Sequence, residues 1–448
     1  MKVLVLVDGE HYPSVTRWAI EELRGRGMEP LAALFVGGGE KLDASGTLDL
    51  GLPERRPEGA PSAALAQAID ELKPDEVVDL SDEPVLGYRE RMELASVALS
   101  RGVPYVGPDF RLDPPVDQAP LPATTVAVIG TGKRTGKTAV AGEATRVASA
   151  HGFDPVVVAM GRGGPAEPEV AEPGSVTVER LVALARSGRH AASDYLELAL
   201  TTGVTTVGAR RAGGGLAGRA MATNVREAAE LALRLGARTL IVDGSGASVP
   251  PFPWDAGILV VPSTVPPEYL GGYLGPLRLL LSDLVVVTMG HSPAGLENIP
   301  TLRSHVEQLH ADARLIVTDF EPQPLGDVRG RDVFFATTAP GAVAARQTKT
   351  LERTHGCRVV GWSARLADRA GLAQDLDGAE AYEVLLSELK AAAVDVACDR
   401  ALARGAEVIF VDNRPVALEG DPDLPTALRE TIGLAQERSA QRTGKRNP

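Results

Sequence analysis

The stretch TVAVIGTGKRTGKTAVAGEATRVASA, residues 125–150, decides the fold of this chain. Its opening residues are largely β-branched and predict a strand that breaks at Gly130. After Gly136 the apolar residues recur at helical spacing, which predicts a helix. A glycine loop between a strand and a helix suits phosphate, because the loop N–H groups and the positive helix N-terminus converge on an anion. The sequence therefore predicts a phosphate-binding loop (P-loop).

The residues of this loop have expected roles in holding ATP. Lys137 is placed on the β- and γ-phosphates, and the hydroxyl of Thr138 on Mg²⁺. Lys133 and Arg134, on the crest of the loop, are candidates to reach the transferring phosphoryl group or the nucleotide of a second subunit. We count Lys133 and Lys137 as candidate catalytic residues. The full set expected to hold the nucleotide is Gly130, Thr131, Gly132, Lys133, Arg134, Thr135, Gly136, Lys137 and Thr138.

The spacing of the loop departs from the common pattern G-x-x-x-x-G-K-[ST]. That pattern needs glycine where the chain has Thr131, and the glycine lies one place earlier, at Gly130. Gly-Thr followed by four residues and Gly-Lys-Thr resembles dethiobiotin synthetase and related dimeric P-loop ATPases. This resemblance implies a homodimer. The alternative is a basic turn in front of an ordinary helix.

Composition narrows the possible classes of protein. The chain has 448 residues, so two or three domains are expected, and 44% hydrophobic with 23% charged residues indicates a globular protein. A net charge of −13 argues against a nucleic-acid or membrane-surface partner. The first apolar run is too short for a signal peptide, and no run approaches the length of a membrane span. We expect a cytoplasmic protein with a small polyanionic substrate.

The alternation of strand and helix patterns predicts an α/β protein with a mostly parallel sheet. An apolar strand at residues 2–7 opens a βαβ pattern, and a proline-rich stretch follows this first domain. The pattern 379–404 is interpreted as one long helix, a last helix ends near residue 438, and residues 441–448 are expected to fray. We divide the chain into an N-terminal Rossmann-like domain (1–110), a linker (111–123), a P-loop ATPase domain (124–340) and a C-terminal α/β extension packed on it (341–448).

Polar residues follow two strands of the N-terminal domain. Asp8, Glu10 and His11 end the first strand, and Ser81, Asp82 and Glu83 end a later one. Open α/β sheets bind ligands at the carboxyl ends of their strands, so this edge is a candidate site, with His11 the better candidate. The alternative is that the two aspartates cap the following helices.

A basic and glycine-rich segment, residues 187–220, is the candidate substrate site. Arginine binds phosphate oxygens in a bidentate manner, and glycine backbone lets an anion approach closely. Arg211 is in addition a candidate catalytic residue. The residues expected to clamp substrate phosphates are Arg189, His190, Arg210, Arg211 and Arg219. The alternative is a solvated basic turn.

Asp243 follows an apolar strand downstream of the P-loop. A carboxylate in this position typically holds the Mg²⁺ shell or positions the nucleophile, so Asp243 is a candidate metal ligand and catalytic residue. A simple turn residue is the alternative. The chain lacks Asn-Lys-x-Asp, with which GTPases read guanine, and this favours ATP. His291, in Met-Gly-His-Ser after another strand, is a candidate for the base or substrate pocket or a structural residue.

Several stretches together resemble the cyclic 2,3-diphosphoglycerate synthetases over nearly the full length. They are VDGEHYPSV (7–15), GTGKRTGKTAV (130–140), SDYLE (193–197) with GARRAGGGLAG (208–218), GDVRGRDVFFATTAP (326–340) and SELKAAAVDV (387–396). The resemblance implies an ATP-dependent ligase that closes 2,3-diphosphoglycerate into its cyclic phosphoanhydride with release of ADP and phosphate. It leaves open a K⁺ requirement and the task of the N-terminal domain.

Two other functions stay open at this point. One is a P-loop kinase or ligase acting on a different small phosphorylated or carboxylated acid. The other is a non-biosynthetic ATPase switch of the dimeric P-loop class, whose output is a conformational change on a protein partner. The basic glycine-rich segment and the additional N-terminal domain favour an enzyme.

Overall fold

The computed structural model describes residues 1–42, 48–418 and 422–444. The N-terminal domain forms a sheet in the order β3-β2-β1-β4-β5-β6, parallel except for the antiparallel pair β5 and β6. Its elements are β1 (Lys2–Val7), α1 (Pro13–Gly25), β2 (Glu29–Phe35), β3 (Glu54–Arg55), α2 (Pro61–Leu72), β4 (Glu76–Asp79), α3 (Tyr88–Ser100), β5 (Tyr105–Val106) and β6 (Arg111–Leu112). The proposed linker thus begins with a strand of this sheet.

The P-loop domain follows, and its central strand is β7, between β12 and β13. Its elements are β7 (Thr124–Gly130), α4 (Lys137–Ala150), β8 (Pro155–Gly161), β9 (Glu169–Ala171), α5 (Val178–Arg186), α6 (Asp194–Thr202), β10 (Thr206–Ala212), β11 (Ala222–Thr223), α7 (Val225–Arg234), β12 (Thr239–Asp243), β13 (Ala256–Pro262), α8 (Glu268–Gly271), α9 (Gly275–Leu280), β14 (Leu284–Thr288), α10 (Pro293–Leu309) and β15 (Arg314–Pro324).

The remaining elements form the C-terminal unit. They are β16 (Asp332–Ala336), α11 (Gly341–His355), β17 (Arg358–Ser363), α12 (Arg369–Asp377), β18 (Val384–Ser387), a π-helix (Ala393–Cys398), α13 (Asp399–Ala403), β19 (Glu407–Ala417) and α14 (Leu424–Gly444). Its strands extend the second sheet, whose order is β11-β10-β8-β12-β7-β13-β14-β15-β19-β18-β16-β17. The α/β class with a mostly parallel sheet is therefore confirmed.

One long strand joins the C-terminal unit to the P-loop domain. The first residues of β15 pair with β14 in parallel, and residues 318–324 extend beyond β14 and pair with β19 in an antiparallel manner. An apolar core also runs from α4 and α6 into the C-terminal unit, through buried residues such as Val140, Leu198, Leu385 and Leu428. The C-terminal unit is thereby packed against the helix that starts at the P-loop.

The N-terminal domain packs on a different part of the P-loop domain. Leu94 of α3 shares one apolar cluster with Leu274 and Leu277, which lie at α9. Strand β1 is buried from Val3 to Val7 because apolar clusters cover both faces of its sheet. This accounts for its uninterrupted apolar sequence.

The prediction of one long helix over 379–404 is wrong. Val384–Ser387 form strand β18 between β16 and β19, and the helical residues begin only at Ala393. All four residues of β18 are buried, and a short apolar run buried on both faces has no periodicity that separates strand from helix. Helix α14 extends through residues 441–444, where fraying was predicted, and residues 445–448 lie outside the described part.

Candidate active site

The P-loop glycines are explained by what surrounds them. The side chain of Lys137 folds back over the end of β7, so a Cβ on Gly130 would come within 2.8 Å of its Cδ atom. Gly136 has a φ of +87°, and a Cβ there would lie 2.4 Å from the ring of Phe320. A side chain at either position would clash, and Gly136 also needs the left-handed conformation that glycine adopts at no steric cost.

Lys137 is buried at the centre of the loop, with 7% of its surface exposed. Its Nζ donates a hydrogen bond to the carbonyl of Gly132 at 3.2 Å. Burial lowers the pKa of Lys137, and the negative charges of Asp243 and Asp194 partly oppose that shift. The lysine therefore lies within the electrostatic reach of two acids, one at the end of β12 and one at the start of α6.

Asp243 and Thr138, the two candidate metal ligands, lie next to each other. Strand β12 pairs with β7 so that Asp243 lies opposite Val128, and the Thr138 hydroxyl donates to its Oδ2 at 3.2 Å. The other oxygen, Oδ1, is buried and has no hydrogen-bond partner among the described residues. Burial, and next the charge of Asp194, raise the pKa of Asp243 to about 8.

This pair fits a Mg²⁺ ion that is held mainly by nucleotide phosphates. Magnesium in such sites takes one or two protein oxygens and completes its shell with phosphate and water. The unpartnered Oδ1 of Asp243 and the Thr138 hydroxyl offer such oxygens. Residues 1–42, 48–418 and 422–444 contain no cluster of three or more acidic, histidine or cysteine ligands.

A cavity of about 850 Å³ opens at the ends of β8 and β10, which lie beyond β12 on one side of the strand that leads into the P-loop. Its size suits a small-molecule ligand. Four of the five predicted substrate residues line it, together with an arginine that the sequence analysis did not single out. We call it the cation cavity, and its basic residues are Arg162, Arg189, His190, Arg210 and Arg211.

Arg162 and Arg211 are the most informative pair in this cavity. A Cβ on Gly246 would lie 2.6 Å from Nη2 of Arg162 and 2.9 Å from Nη2 of Arg211, so both guanidinium groups converge on one point. Arg211 donates to the carbonyls of Gly213 at 2.7 Å and Ser245 at 2.9 Å, and its Nε is buried without a partner. Burial, and next the charge of Arg162, lower the pKa of Arg211.

Neither guanidinium is neutralised by a carboxylate within the described part of the chain. Both are close enough to Lys137 for their charges to lower its pKa. Two like charges beside a buried lysine are unfavourable unless an anion joins them. The cavity is thus arranged to receive negative charge next to the P-loop.

The other predicted substrate residues contact different groups of the protein. Arg189 forms an ion pair with Glu169, and the Nε of Arg210 donates to the carbonyl of Gly164 at 3.1 Å. The ring of His190 lies against Gly163, where a Cβ would be 2.5 Å from its Cδ2. Arg219 does not line the cavity and is paired with Asp117.

The segment that carries these arginines is more regular than its glycine content indicated. Arg210 and Arg211 lie on β10, the strand that pairs with β8, and they are not in a flexible loop. Arg162 follows β8 directly, and Arg210 lies opposite Gly161, so the pairing of β8 with β10 places Arg162 beside Arg211. The missed residue had a signal in the sequence, because Met-Gly-Arg-Gly-Gly follows an apolar strand and strand ends carry ligand sites.

Lys133 and Arg134 are exposed on the crest of the loop. Arg134 has a φ of +60°, in the left-handed region. Thr135 is buried, and its carbonyl accepts a hydrogen bond from the Thr288 hydroxyl at 2.8 Å. The side chains of Lys133 and Arg134 are therefore exposed to solvent, while Thr135 is hydrogen-bonded to the end of β14.

The candidate site of the N-terminal domain is also assembled from two strand ends. Nδ1 of His11 lies 2.8 Å from Asp8, and its Nε2 lies 3.4 Å from Asp82. The hydrogen bond with Asp8 raises the pKa of His11. The buried Asp8 also accepts the backbone N–H of Asp82 at 2.7 Å, so it holds the two strand ends together.

Within residues 1–42, 48–418 and 422–444, no helix is long and apolar enough to cross a membrane.

Family models match three consecutive parts of the chain. They describe the N-terminal domain (residues 2–113), the P-loop domain (residues 125–319) and the C-terminal domain (residues 324–414) of cyclic 2,3-diphosphoglycerate synthetase.

Relatives of known name support the same assignment. The chain is 47% identical over 421 residues to the cyclic 2,3-diphosphoglycerate synthetase of Rubrobacter xylanophilus, covering 93% of this chain and 95% of the relative. It is 42% identical over 433 residues to that of Methanothermobacter thermautotrophicus, covering 94% and 93%. A solved structure of a duf1611 family protein from Anabaena variabilis aligns over 90% of this chain and 98% of its own at 12% identity, but its TM-score of 0.18 supports no argument.

Proposed function

This chain belongs to the cyclic 2,3-diphosphoglycerate synthetase family, and we propose that it is an ATP-dependent ligase that makes cyclic 2,3-diphosphoglycerate. The proposed reaction converts 2,3-diphosphoglycerate and ATP into the cyclic phosphoanhydride, ADP and inorganic phosphate. The single observation that carries the proposal is the convergence of Arg162 and Arg211 near the P-loop lysine, with no carboxylate paired to either among the described residues. The P-loop binds the triphosphate, and the cation cavity offers a binding site for a second polyanion.

Chemistry explains why ring closure needs ATP. Two phosphates of one molecule can form an anhydride only if an oxygen leaves one phosphorus atom. Oxide is too poor a leaving group, so one phosphate must first carry a better one. Transfer of the γ-phosphoryl group of ATP to that phosphate provides it.

We propose two successive displacements at phosphorus. In the first, an oxygen of one substrate phosphate attacks the γ-phosphorus, the bond to the β-γ bridging oxygen breaks, and ADP leaves. The product is a pyrophosphoryl group on the substrate. In the second, an oxygen of the other substrate phosphate attacks the inner phosphorus of that group, and inorganic phosphate leaves with the bridging oxygen. Each step forms one P–O bond and breaks one.

The protein's contribution in this scheme is positioning and charge stabilisation. Lys137 faces the β- and γ-phosphates, and Arg162 with Arg211 holds the substrate phosphates so that two groups of like charge come within bonding distance. Thr138 and Asp243 would hold Mg²⁺, which spreads the charge of the triphosphate. Homodimer formation, a cytoplasmic location and a K⁺ ion stay predictions.

Phosphorus NMR of the purified protein with MgATP and 2,3-diphosphoglycerate tests the proposal. We expect a cyclic anhydride resonance to grow together with ADP and free phosphate, and the Lys137→Ala variant to give none of them. Consumption of ATP without the cyclic product would contradict the assignment of 2,3-diphosphoglycerate as the substrate and would favour another phosphorylated acid. ATP-dependent self-association with slow hydrolysis, unaffected by 2,3-diphosphoglycerate, would favour the ATPase switch.

A further inference from the structure

A second polar constellation lies on the other side of the P-loop from the cation cavity. The sheet order places β12, β8 and β10 on one side of β7 and β13, β14 and β15 on the other. The end of β14 and the middle of β15 touch the loop directly, through the bond from Thr288 to Thr135 and the ring of Phe320 against Gly136. The backbone N–H of Gly290 also donates to the carbonyl of Thr318, which joins the end of β14 to the middle of β15.

In this arrangement, the γ-phosphate and the base of a bound nucleotide lie towards opposite sides of the P-loop. The γ-phosphate must face the cation cavity, because the acceptor phosphates are placed there. The base, at the opposite end of the triphosphate, then lies towards β14 and β15. The ring of Phe320, half-buried over the start of α4, offers an apolar face on which a base can stack.

His291, Asp319 and Arg346 form a connected group where β15 passes the end of β14. Oδ2 of Asp319 lies 2.8 Å from Nδ1 of His291 and accepts from Arg346 at 2.7 Å. Its Oδ1 accepts the N–H of Phe320 at 2.8 Å. Asp319 is 8% exposed, whereas the His291 side chain is 56% exposed. The inner carboxylate thus holds a histidine that presents its free edge to a ligand.

The tautomer of His291 follows from this hydrogen bond. A neutral imidazole that donates from Nδ1 to a carboxylate has Nε2 as an acceptor. Within residues 1–42, 48–418 and 422–444, Nε2 of His291 has no partner. An acceptor suits the 6-amino group of adenine and opposes the 6-oxo group of guanine.

We propose that His291 and Phe320 form the base subsite of the nucleotide and that Nε2 of His291 selects a purine bearing an amino group at C6. Asp319 and Arg346 are positioning residues for His291. Because Arg346 lies on α11, the C-terminal unit completes the nucleotide site. The proposal rests on the proposed use of ATP by the P-loop.

Calorimetric titration of the full-length protein with three Mg²⁺-nucleotides tests this subsite. The nucleotides are ATP, GTP and purine riboside triphosphate, which lacks any group at C6. We expect the wild type to bind ATP about tenfold more tightly than either of the others, as one additional hydrogen bond allows. His291→Ala and Arg346→Ala should lose most of that preference. Binding of purine riboside triphosphate should be unchanged in His291→Ala, which shows that the variant is folded.

His355→Ala is the matched control, because His355 belongs to the same helix as Arg346 but its ring lies within hydrogen-bond distance of a different group, the carbonyl of Pro322. It should keep the wild-type preference. Equal binding of ATP and GTP by the wild type, or an unchanged preference in both His291→Ala and Arg346→Ala, would overturn the proposal. Phosphorus NMR tests the proposed cyclisation separately from the base subsite. A preference for ATP that depends on His291, in a protein that forms no cyclic product, would reject the cyclisation and still support the base subsite.

Discussion

Helix α6 contributes one acid to each of two charged clusters, and the clusters differ in how their charges are balanced. Asp194, at its start, acts on Lys137 and Asp243 of the P-loop, where several polar atoms lack partners. Glu197, one turn later, pairs with Lys390 of the C-terminal unit at 3.2 Å. The second cluster, which we call the paired cluster, is balanced inside the protein.

Glu388 shows how the buried charges of the paired cluster are balanced. It is 2% exposed and accepts hydrogen bonds from Thr337, Thr338 and Asn413. Burial alone would raise its pKa, but Lys390 and these hydrogen bonds lower the pKa of Glu388 overall. The paired cluster therefore joins domains, whereas the unbalanced charges around Lys137 await a ligand. Substitutions in the two clusters should affect different properties.

The largest effect is expected for Lys137→Ala. It removes the charge that faces the transferring phosphoryl group, so kcat should fall by at least about 10³-fold. The denaturant concentration at which the protein unfolds should change little, since the variant removes a buried charge but also leaves Asp243 and Asp194 without its attraction. Turnover by initial rate and unfolding in urea are the measurements. If Lys137→Ala lost its fold along with its activity, the charges around Lys137 would contribute to stability as the paired cluster does, and the contrast between the two clusters would be wrong.

Glu388→Ala should have the opposite profile. It leaves three hydrogen-bonding side chains without their partner and removes one of the two carboxylates near Lys390, which costs about 2–4 kcal/mol of unfolding free energy. The binding of ATP and the KM for 2,3-diphosphoglycerate should change by less than about threefold at a temperature where the variant is folded. Urea unfolding followed by fluorescence measures the loss. A stable Glu388→Ala protein with impaired substrate binding would place the paired cluster in the active site.

The separate variants Arg162→Ala and Arg211→Ala should each raise the KM for 2,3-diphosphoglycerate about tenfold, with a smaller change in kcat. Each leaves the other arginine less repelled, so Arg162→Ala should not reduce stability, whereas Arg211→Ala also loses the hydrogen bonds to the carbonyls of Gly213 and Ser245. Steady-state kinetics with varied substrate at saturating ATP measures this. If Arg211→Ala leaves both kcat and KM intact, the assignment of the cation cavity to the substrate phosphates is wrong.

The smallest effect is expected for Arg219→Ala. Its guanidinium is half exposed and already paired with Asp117, and surface pairs of this kind contribute less than about 1 kcal/mol. We expect less than a twofold change in KM and no measurable change in stability. The same kinetic assay serves as the measurement. A tenfold rise in KM would restore Arg219 to the predicted clamp.

The sequence predicted the P-loop well because strand, glycine loop and helix are adjacent in the chain. Lys137, Thr138 and Asp243 followed from spacing and from the rule that ligands bind at strand ends. Arg162 was not singled out because its partner Arg211 is far along the chain, and only the pairing of β8 with β10 sets them together. Arg219 could not be separated from its neighbours, because its partner Asp117 lies in the proline-rich stretch that was interpreted as a linker.

The C-terminal unit was harder to predict for a related reason. The run Val-Leu-Leu-Ser at 384–387 fits a strand or a helix, and its neighbours in the sheet come from residues before and after it. The contacts of Lys390 and Arg346 with the P-loop domain are equally non-local. Local patterns carry information on elements, and long-range strand order decides which side chains meet.

The transfer of oxygen from substrate to inorganic phosphate tests the central claim most directly. We would supply 2,3-diphosphoglycerate labelled with ¹⁸O in its phosphates, together with unlabelled MgATP, and follow the isotope shift of the released phosphate by phosphorus NMR. Activation of one substrate phosphate by ATP predicts that each released phosphate carries one oxygen atom from the substrate. Released phosphate without ¹⁸O, formed alongside the cyclic product, would contradict the account, because the γ-phosphoryl group would then have passed to water or another acceptor.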